Sequence, residues 1–216
     1  MKKLSSVFPV YKPKGISSNQ ALTEIKKILG VKKAGHAGTL DPLAEGVLVV
    51  GIGSEGTSEL ARLVQKDKEY IAEITFGASS ETDDEEGKKT FVTVSDPPVL
   101  ASVKRVIRKF VGDIEQVPPR FSAVHVRGKK AYERARRGES FEIKSRPAHI
   151  ESIDVLGYAW PRLCIRVRTG PGVYIRALAR DIGDRLGVGG YISALERTRV
   201  GDFKKEDALL LEELKN

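Results

Sequence analysis

Three clusters in the chain hold side chains suited to chemistry. The densest runs from Gly35 to Gly46 and sets His36, Asp41 and Glu45 among glycines and a proline. A carboxylate in such a loop can act as a base or as a nucleophile. The same composition suits an aspartate that merely caps a turn, and local sequence leaves both readings open. The second cluster, Gly172-Val173-Tyr174-Ile175-Arg176, puts Tyr174 and Arg176 at the mouth of a helix. Arg176 can hold a carboxylate through charge-assisted hydrogen bonds, or simply lie on a helix surface. The third is basic. Arg120, Arg127, Lys129, Lys130, Arg134, Arg136 and Arg137 face one acid, Glu133, with Phe121 and Tyr132 interleaved. Cations of this kind meet phosphates and aromatic faces stack on unpaired bases; an ordinary charged helix face is the alternative.

Other patterns carry less. Gly51-Ile52-Gly53-Ser54-Glu55-Gly56 has the form of a dinucleotide fingerprint after a strand, with Glu73 near the acidic position. The chain lacks the further strand–helix alternation of a doubly wound sheet, and Glu55 would crowd a pyrophosphate, so a glycine-rich turn is the better reading. His36, His125 and His149 lack ligand spacing, and the run Glu81 to Glu86 lacks the alternation of a calcium loop; no metal site is expected. The single cysteine, Cys164, sits in an alternating run and reads as a small core residue.

These clusters need a scaffold. The chain has 216 residues and a net charge of +8, enough for one domain with a real core and a surface that favours polyanions, nucleic acid first. Charge alone also admits membrane surfaces and acidic proteins. The start, Met1-Lys2-Lys3-Leu4, is basic, but no apolar run reaches signal or transmembrane length, which predicts a cytoplasmic protein.

Val7 to Gly15 reads as a strand entering a turn, with Pro9 favouring an edge. Ser17 and Gln20 form a capping box ahead of a helix that Gly30 ends. Residues 31–46 read as a loop, Val47–Val50 as a buried strand, and Thr57–Gln65 as a helix. Tyr70–Phe76 alternates, Ser79–Gly87 is an acidic loop, and Leu100–Phe110 is amphipathic. Short strands are predicted at Phe121–Val126, Phe141–Lys144, Ile150–Tyr158 and Leu163–Arg168, and helices at Tyr174–Leu186 and Ala208–Leu214. Strands outnumber helices and often adjoin without a crossover, so the fold class is α+β with a mixed, largely antiparallel central sheet flanked by helices.

Three segments resemble the TruB family of tRNA pseudouridine synthases. Lys12-Pro13-Lys14-Gly15-Ile16-Ser17-Ser18 is similar to its N-terminal motif, Gly35 to Gly46 to its catalytic loop, and Gly172 to Arg176 to its arginine motif, with Val173 in place of a commoner small polar residue. Lys68-Glu69-Tyr70 resembles the family's tyrosine strand, and Val117 to Val124 the opening of its thumb loop. The resemblance spans residues 7–203 in collinear order.

The resemblance implies a pseudouridine synthase fold and the isomerisation of uridine in tRNA, at the T-loop uridine 55, without metal or cofactor. It makes Asp41 the catalytic aspartate. It sets Tyr70 against the target base, Arg176 beside Asp41 with Asp84 a possible third member of that charge network, and His36 among the flipped-out nucleotides. Leu195 lines the base pocket with Tyr174 nearby, and Lys12 supports the site wall. Arg127, Lys129, Lys130, Arg134 and Arg136 contact RNA from a thumb-like insertion near 117–140. The expected partner is the tRNA T-arm alone, with no membrane and no obligate protein partner, for a monomeric chain. Relatives usually carry a C-terminal RNA-binding domain of the PUA type. Beyond Phe203 only Lys204 to Asn216 remain, so the expectation is one catalytic domain without it, and an RNA affinity that leans on Arg120 to Arg137. Two rival functions stand beside this one: a non-catalytic RNA-binding or tRNA-folding protein on the same scaffold, and a dinucleotide-dependent enzyme built on Gly51 to Gly56.

Overall fold

In the computed structural model, 5–215 are the described residues; Met1–Leu4, with the basic start noted above, and Asn216 lie outside them. The fold is α+β, with five α-helices among the described residues and a large sheet whose pairings are mostly antiparallel. Contacts divide the chain into two compact units, Met1–Ile71 with Arg168–Pro171 and Ala194–Asn216, and Ala72–Val167 with Gly172–Ser193.

The first unit begins with β1 (Val7–Lys12) and α1 (Ser18–Leu29). The start of α1 is dictated locally. Ser17 Oγ accepts from Gln20 N at 3.2 Å while Gln20 Oε1 accepts from Ser17 N at 2.7 Å, the reciprocal bonds of a capping box. Gly30 ends the helix in a left-handed conformation, φ 65°, and its N–H reaches Lys26 O. Then come β2 (Ala34–His36), β3 (Glu45–Ile52) and α2 (Gly53–Val64). Both faces of β3 are covered, which explains its unbroken apolar run. Leu48 and Val50 pack with Phe8, Val10, Ala21 and Ile25, whereas Val47 and Val49 pack with Ala37, Leu63 and Val200. Ile25 is fully buried in the first of these clusters, and cutting it to alanine is expected to cost about 2–5 kcal/mol.

The glycines of Gly51 to Gly56 have a packing role. A Cβ on Gly51 would lie 2.3 Å from Gly56 O, and one on Gly56 would lie 2.0 Å from Ser6 O. They let the start of α2 close directly onto β3, so the expected turn is a strand–helix junction with helix from Gly53.

In hydrogen-bonded order, this unit's strands run β14–β1–β3–β12, with β2 on β3 and β13 on β12. Here β12 is Gly190–Val200, β13 is Phe203–Lys204 and β14 is Leu209–Leu210. The helix predicted over Ala208–Leu214 is thus a two-residue parallel strand on β1 followed by a 3-10 turn at Glu213–Lys215. Pro9 is not on a free edge, but β14 covers only Val10 and Tyr11, so its missing N–H falls outside that pairing.

Three strands, β4 (Lys68–Phe76), β11 (Arg162–Thr169) and β12, continue from one unit into the other. The second unit follows the order β12–β4–β11–β10–β7, with β7 at Gly112–Gln116 and β10 at Arg146–Ala159. The acidic stretch is the turn of a hairpin, β5 (Ala78–Ser80) and β6 (Lys89–Phe91). Helix α3 (Leu100–Ile107) runs into a 3-10 turn at Arg108–Phe110, and α5 spans Ile175–Leu186.

The basic segment holds the small hairpin β8 (His125–Val126) and β9 (Lys129–Lys130), then α4 (Ala131–Arg136). Phe121–His125 is mostly irregular and Phe141–Lys144 is not a strand. Their apolar residues alternate for another reason. Val124, Ala131 and Ile143 form a small cluster with Val126, Phe141 and Tyr174 around them.

Candidate active site

Asp41 sits in the connection from β2 to β3. The loop's apolar residues Ala37, Leu40, Leu43 and Ala44 are buried, which leaves Asp41 half-buried above them. Its neighbours on either side are tied to the chain that leads into α1. Buried Ser18 donates through Oγ to Leu40 O at 3.0 Å and accepts from Leu40 N at 2.8 Å. Gly15 N donates to Pro42 O at 2.8 Å. The Lys12–Ser18 motif is therefore a clamp on the backbone around Asp41.

Two buried cations support this loop. Lys12 is fully buried, and its Nζ donates to Pro13 O at 2.8 Å and Ile16 O at 2.7 Å. Burial lowers its pKa to about 8; the charges of Asp41 and Glu45 oppose the fall and Arg197 deepens it. Arg197, on β12, is 1% exposed; it donates from Nε to Val47 O at 2.8 Å and from Nη2 to Gly38 O at 3.0 Å. It thus bridges both ends of the loop. Gly46 makes room for it: at φ 107°, a Cβ there would come within 2.3 Å of Arg197 O.

His36 is half-buried, and burial, reinforced by the Arg197 charge, lowers its pKa against a backbone bond to Gly38. Its ring is therefore neutral at pH 7, which suits stacking on a base. Lys68 is also buried, bonded to Val64 O at 2.8 Å and Lys66 O at 2.6 Å, and burial lowers it to about 8. Tyr70 on β4 and Leu195 on β12 are each 7% exposed.

In the second unit, Arg176 begins the first turn of α5. Its Nη1 lies 3.3 Å from Asp84 Oδ2 and donates to Thr82 O at 2.8 Å, while Nη2 donates to Phe121 O at 3.0 Å. Asp84 is held in turn by Thr82 Oγ1 and by Glu86 N at 3.1 Å. One turn along, Arg180 repeats the pattern, with Nη1 2.8 Å from Asp83 Oδ2 and Nη2 donating to Val117 O at 2.8 Å. Burial raises Asp83 to about 6, against the pull of Arg180. Two arginines spaced by four residues thus fasten the acidic turn and the start of the basic segment to one helix face.

Tyr174 caps this end of α5. Its N–H donates to Gln116 Oε1 at 2.9 Å and its carbonyl accepts from Gln116 Nε2 at 3.1 Å. Its ring packs on the small apolar cluster of the basic segment.

The basic residues are not equivalent. Arg127, at φ 49°, and Lys129 are exposed on the hairpin turn. Arg134 is a tie: Nη1 lies 2.8 Å from Glu139 Oε2 and Nε donates to Val126 O at 3.1 Å. Lys130 and Arg136 both lie over the Tyr132 ring, at 5.7 and 5.3 Å.

Arg197, Gln116 and Arg180 escape a reading of the sequence, and Ser18 enters it only as the end of a motif, without its bonds to Leu40. For Arg197 a signal exists: it occupies an inward position of an alternating strand, where an arginine needs buried acceptors. Among the described residues, no group of three or more His, Cys, Asp or Glu side chains is placed to hold a metal ion, and no helix is long and apolar enough to cross a membrane.

Residues 26–175 match the family model of the TruB pseudouridylate synthase N-terminal domain, and residues 176–216 match that of a tRNA pseudouridylate synthase B C-terminal domain. The family match thus runs past Phe203 to Asn216. The chain is 42% identical to tRNA pseudouridine synthase B of Corynebacterium diphtheriae, over 97% of this chain and 72% of that protein. It is 44% identical to the protein of the same name from Thermobifida fusca, over 95% of this chain and 72% of that one. Among solved structures, a chain of a Cbf5–Nop10–Gar1 complex superposes with TM-score 0.74 at 32% identity; the match covers 95% of this chain and 52% of that one, about half its length. The chain belongs to the TruB family of pseudouridine synthases.

Proposed function

We propose that this protein isomerises uridine to pseudouridine in tRNA, at the T-loop uridine 55, with Asp41 as the catalytic carboxylate. The observation that carries this reading is the anchoring of the Asp41 loop. Leu40 and Pro42 are both hydrogen-bonded to the Gly15–Ser18 segment, so the backbone that bears the carboxylate is fixed before substrate arrives.

In the reaction the bond from C1′ of the sugar to N1 of uracil breaks. The base turns, and C5 bonds to C1′; C5 then loses its hydrogen as a proton while N1 gains one, so atoms balance. The uridine must leave its stack, which costs a few kcal/mol and least in a loop. Asp41 acts on the sugar, as nucleophile at C1′ or as base toward it. Tyr70 and Leu195 would meet the uracil, the neutral His36 ring would stand among the displaced nucleotides, and Lys12 would support the wall. Arg176 would pair with Asp41, as the family resemblance implies, through the charge-assisted bonds a guanidinium gives a carboxylate. Asp84 belongs to the same network through its contact with Arg176. Arg127, Lys129, Lys130, Arg134 and Arg136 would grip phosphates, with Tyr174 joining the basic segment to the site.

The reaction would take place in the cytoplasm, with the chain acting alone as a monomer. Light scattering of the tRNA complex tests the stoichiometry, with one protein per tRNA expected. The activity is tested by tritium release from tRNA carrying 5-tritiated uridine. Release is expected from the parent. A parent that binds tRNA but releases none would be a binding or folding protein instead.

A further inference from the structure

Helix α3 and the 3-10 turn that continues it, treated together as the α3 segment, carry a feature that the proposed site does not use. Lys104, Arg105, Arg108 and Lys109 fall within six residues, and no acid occurs from Val99 to Val111. All four are exposed, while Val103, Val106, Ile107 and Phe110 are buried on the opposite side. Arg185 of α5 extends the face, its guanidinium 5.0 Å above the Phe110 ring.

This arrangement has a local cost. Lys104 and Arg108, and Arg105 and Lys109, are like charges four residues apart, each pair destabilising a helix by about 0.2–0.5 kcal/mol. Cations near a helix C-terminus gain from the macrodipole, but four exceed what one terminus needs. No carboxylate relieves them: among the described residues, none of the four is in an ion pair. The basic segment differs, since Arg134 and Arg137 both meet Glu139.

Charge distribution points the same way. Residues 120–137 hold seven cations and one acid, and 104–109 hold four cations and none. Together they exceed the net +8 of the whole chain, so the remainder is net negative. Residues 26–33 also hold four cations and no acid, but spread over eight residues across the end of α1, whereas 104–109 set four within six residues on one exposed face.

We infer that the exposed face of the α3 segment, Lys104, Arg105, Arg108 and Lys109 with Arg185 beside them, is a second docking surface for the phosphate backbone of the RNA substrate. It rests on the tRNA-modifying reading and adds a place where RNA away from the reacting uridine is held. Arg185 lies nine residues after Arg176 on α5, roughly 14 Å along the helix axis at ~1.5 Å per residue. Nine residues are also about two and a half turns, so Arg185 projects from the side of α5 opposite Arg176, and an RNA that reaches both must wrap past the end of the helix. Contact here reads charge rather than base sequence.

The test replaces the four cations with glutamine (K104Q, R105Q, R108Q, K109Q) and measures binding of a full-length tRNA transcript across a salt series. A second variant, R105K with R108K, keeps the charge. All positions are exposed, so the lysine variant is expected to melt with the parent and the glutamine variant with it or up to about 4 °C above it, as the two like-charge pairs are relieved. The glutamine variant is expected to bind tRNA roughly tenfold or more weakly near 0.1 M salt, and its log–log salt slope to fall by about 2–4, since each phosphate contact contributes about 0.7–0.9. The lysine variant should keep the parent's slope. A glutamine variant with the parent's affinity and slope overturns the inference while the parent's tritium release leaves the enzymatic reading intact. A parent that neither binds tRNA nor releases tritium overturns both.

Discussion

Removing one oxygen atom from Ser18 should loosen the catalytic loop. In Ser18→Ala, the buried N–H and C=O of Leu40 lose bonds of 2.8 and 3.0 Å at once. Leu40 is 3% exposed and Ser18 1%, so water does not replace them without a shift of the loop. An unsatisfied buried polar group costs about 1–3 kcal/mol, so two cost about 2–4 kcal/mol after partial relaxation. For a chain of this size 1 kcal/mol moves the melting temperature by about 2–4 °C, which gives a fall of roughly 4–16 °C. Activity should fall through position rather than affinity. Asp41 follows Leu40 directly, and a displacement of ~1 Å at a reacting group costs up to about 10²-fold in rate. We expect kcat for tritium release to drop about 10- to 100-fold, with KM within about threefold, and Ser18→Cys, which keeps a weak donor and acceptor, to lie between. An alanine variant that melts with the parent and keeps its kcat would refute the clamp.

Other outcomes follow from the same geometry. Arg176→Ala leaves buried Asp84 and the carbonyls of Thr82 and Phe121 without their guanidinium; breaking such a pair costs about 3–5 kcal/mol, and turnover should fall more than tRNA affinity, whereas equal losses would count against a role at Asp41. Arg127→Glu with Lys129→Glu should weaken tRNA binding without lowering the melting temperature. Arg134→Glu with Arg136→Glu should weaken binding and also destabilise the hairpin, because Arg134 bonds Val126 O and Glu139; unchanged affinity in both pairs would dismiss this surface. Burial lowers Lys12 to about 8 from 10.5, so above the folded value the native lysine has shed a proton that the unfolded one keeps until the unfolded value. The stability of the parent relative to Lys12→Met should therefore rise from pH 8 toward 10.5 and be lost as pH falls through about 8, as urea melts at several pH values will show. A difference that stays constant with pH contradicts it.

What the sequence made legible was local or periodic. The capping box at Ser17 and Gln20 and the stop at Gly30 need only neighbours, and α1 begins and ends there. The run Val47–Val50 announced a strand covered on both faces, and Leu48 and Val49 do belong to different clusters. Phe141 and Ile143 misled because alternation also arises when an irregular chain packs side chains onto one small cluster. Ala208–Leu214 misled because a short strand takes its partner, β1, from the far end of the chain. The site residues divide in the same way. His36 and Asp41 stood out through their glycine-rich setting, and Arg176 through its helix-mouth motif. Ser18 and Arg197 act on backbone atoms 22 and 159 residues away, and no local pattern encodes such a bond. Arg180 carries no local signal, because its task is set by Asp83, 2.8 Å away in space and 97 residues away in the chain.

The isomerisation proposed for this protein depends on the Asp41 carboxylate. Its most direct test is tritium release from 5-tritiated tRNA by the parent and by Asp41→Asn, which keeps the shape of the side chain and removes its charge. Release is expected from the parent and none above background from the variant, with tRNA bound by both. Release by Asp41→Asn at the parent's rate would contradict this dependence.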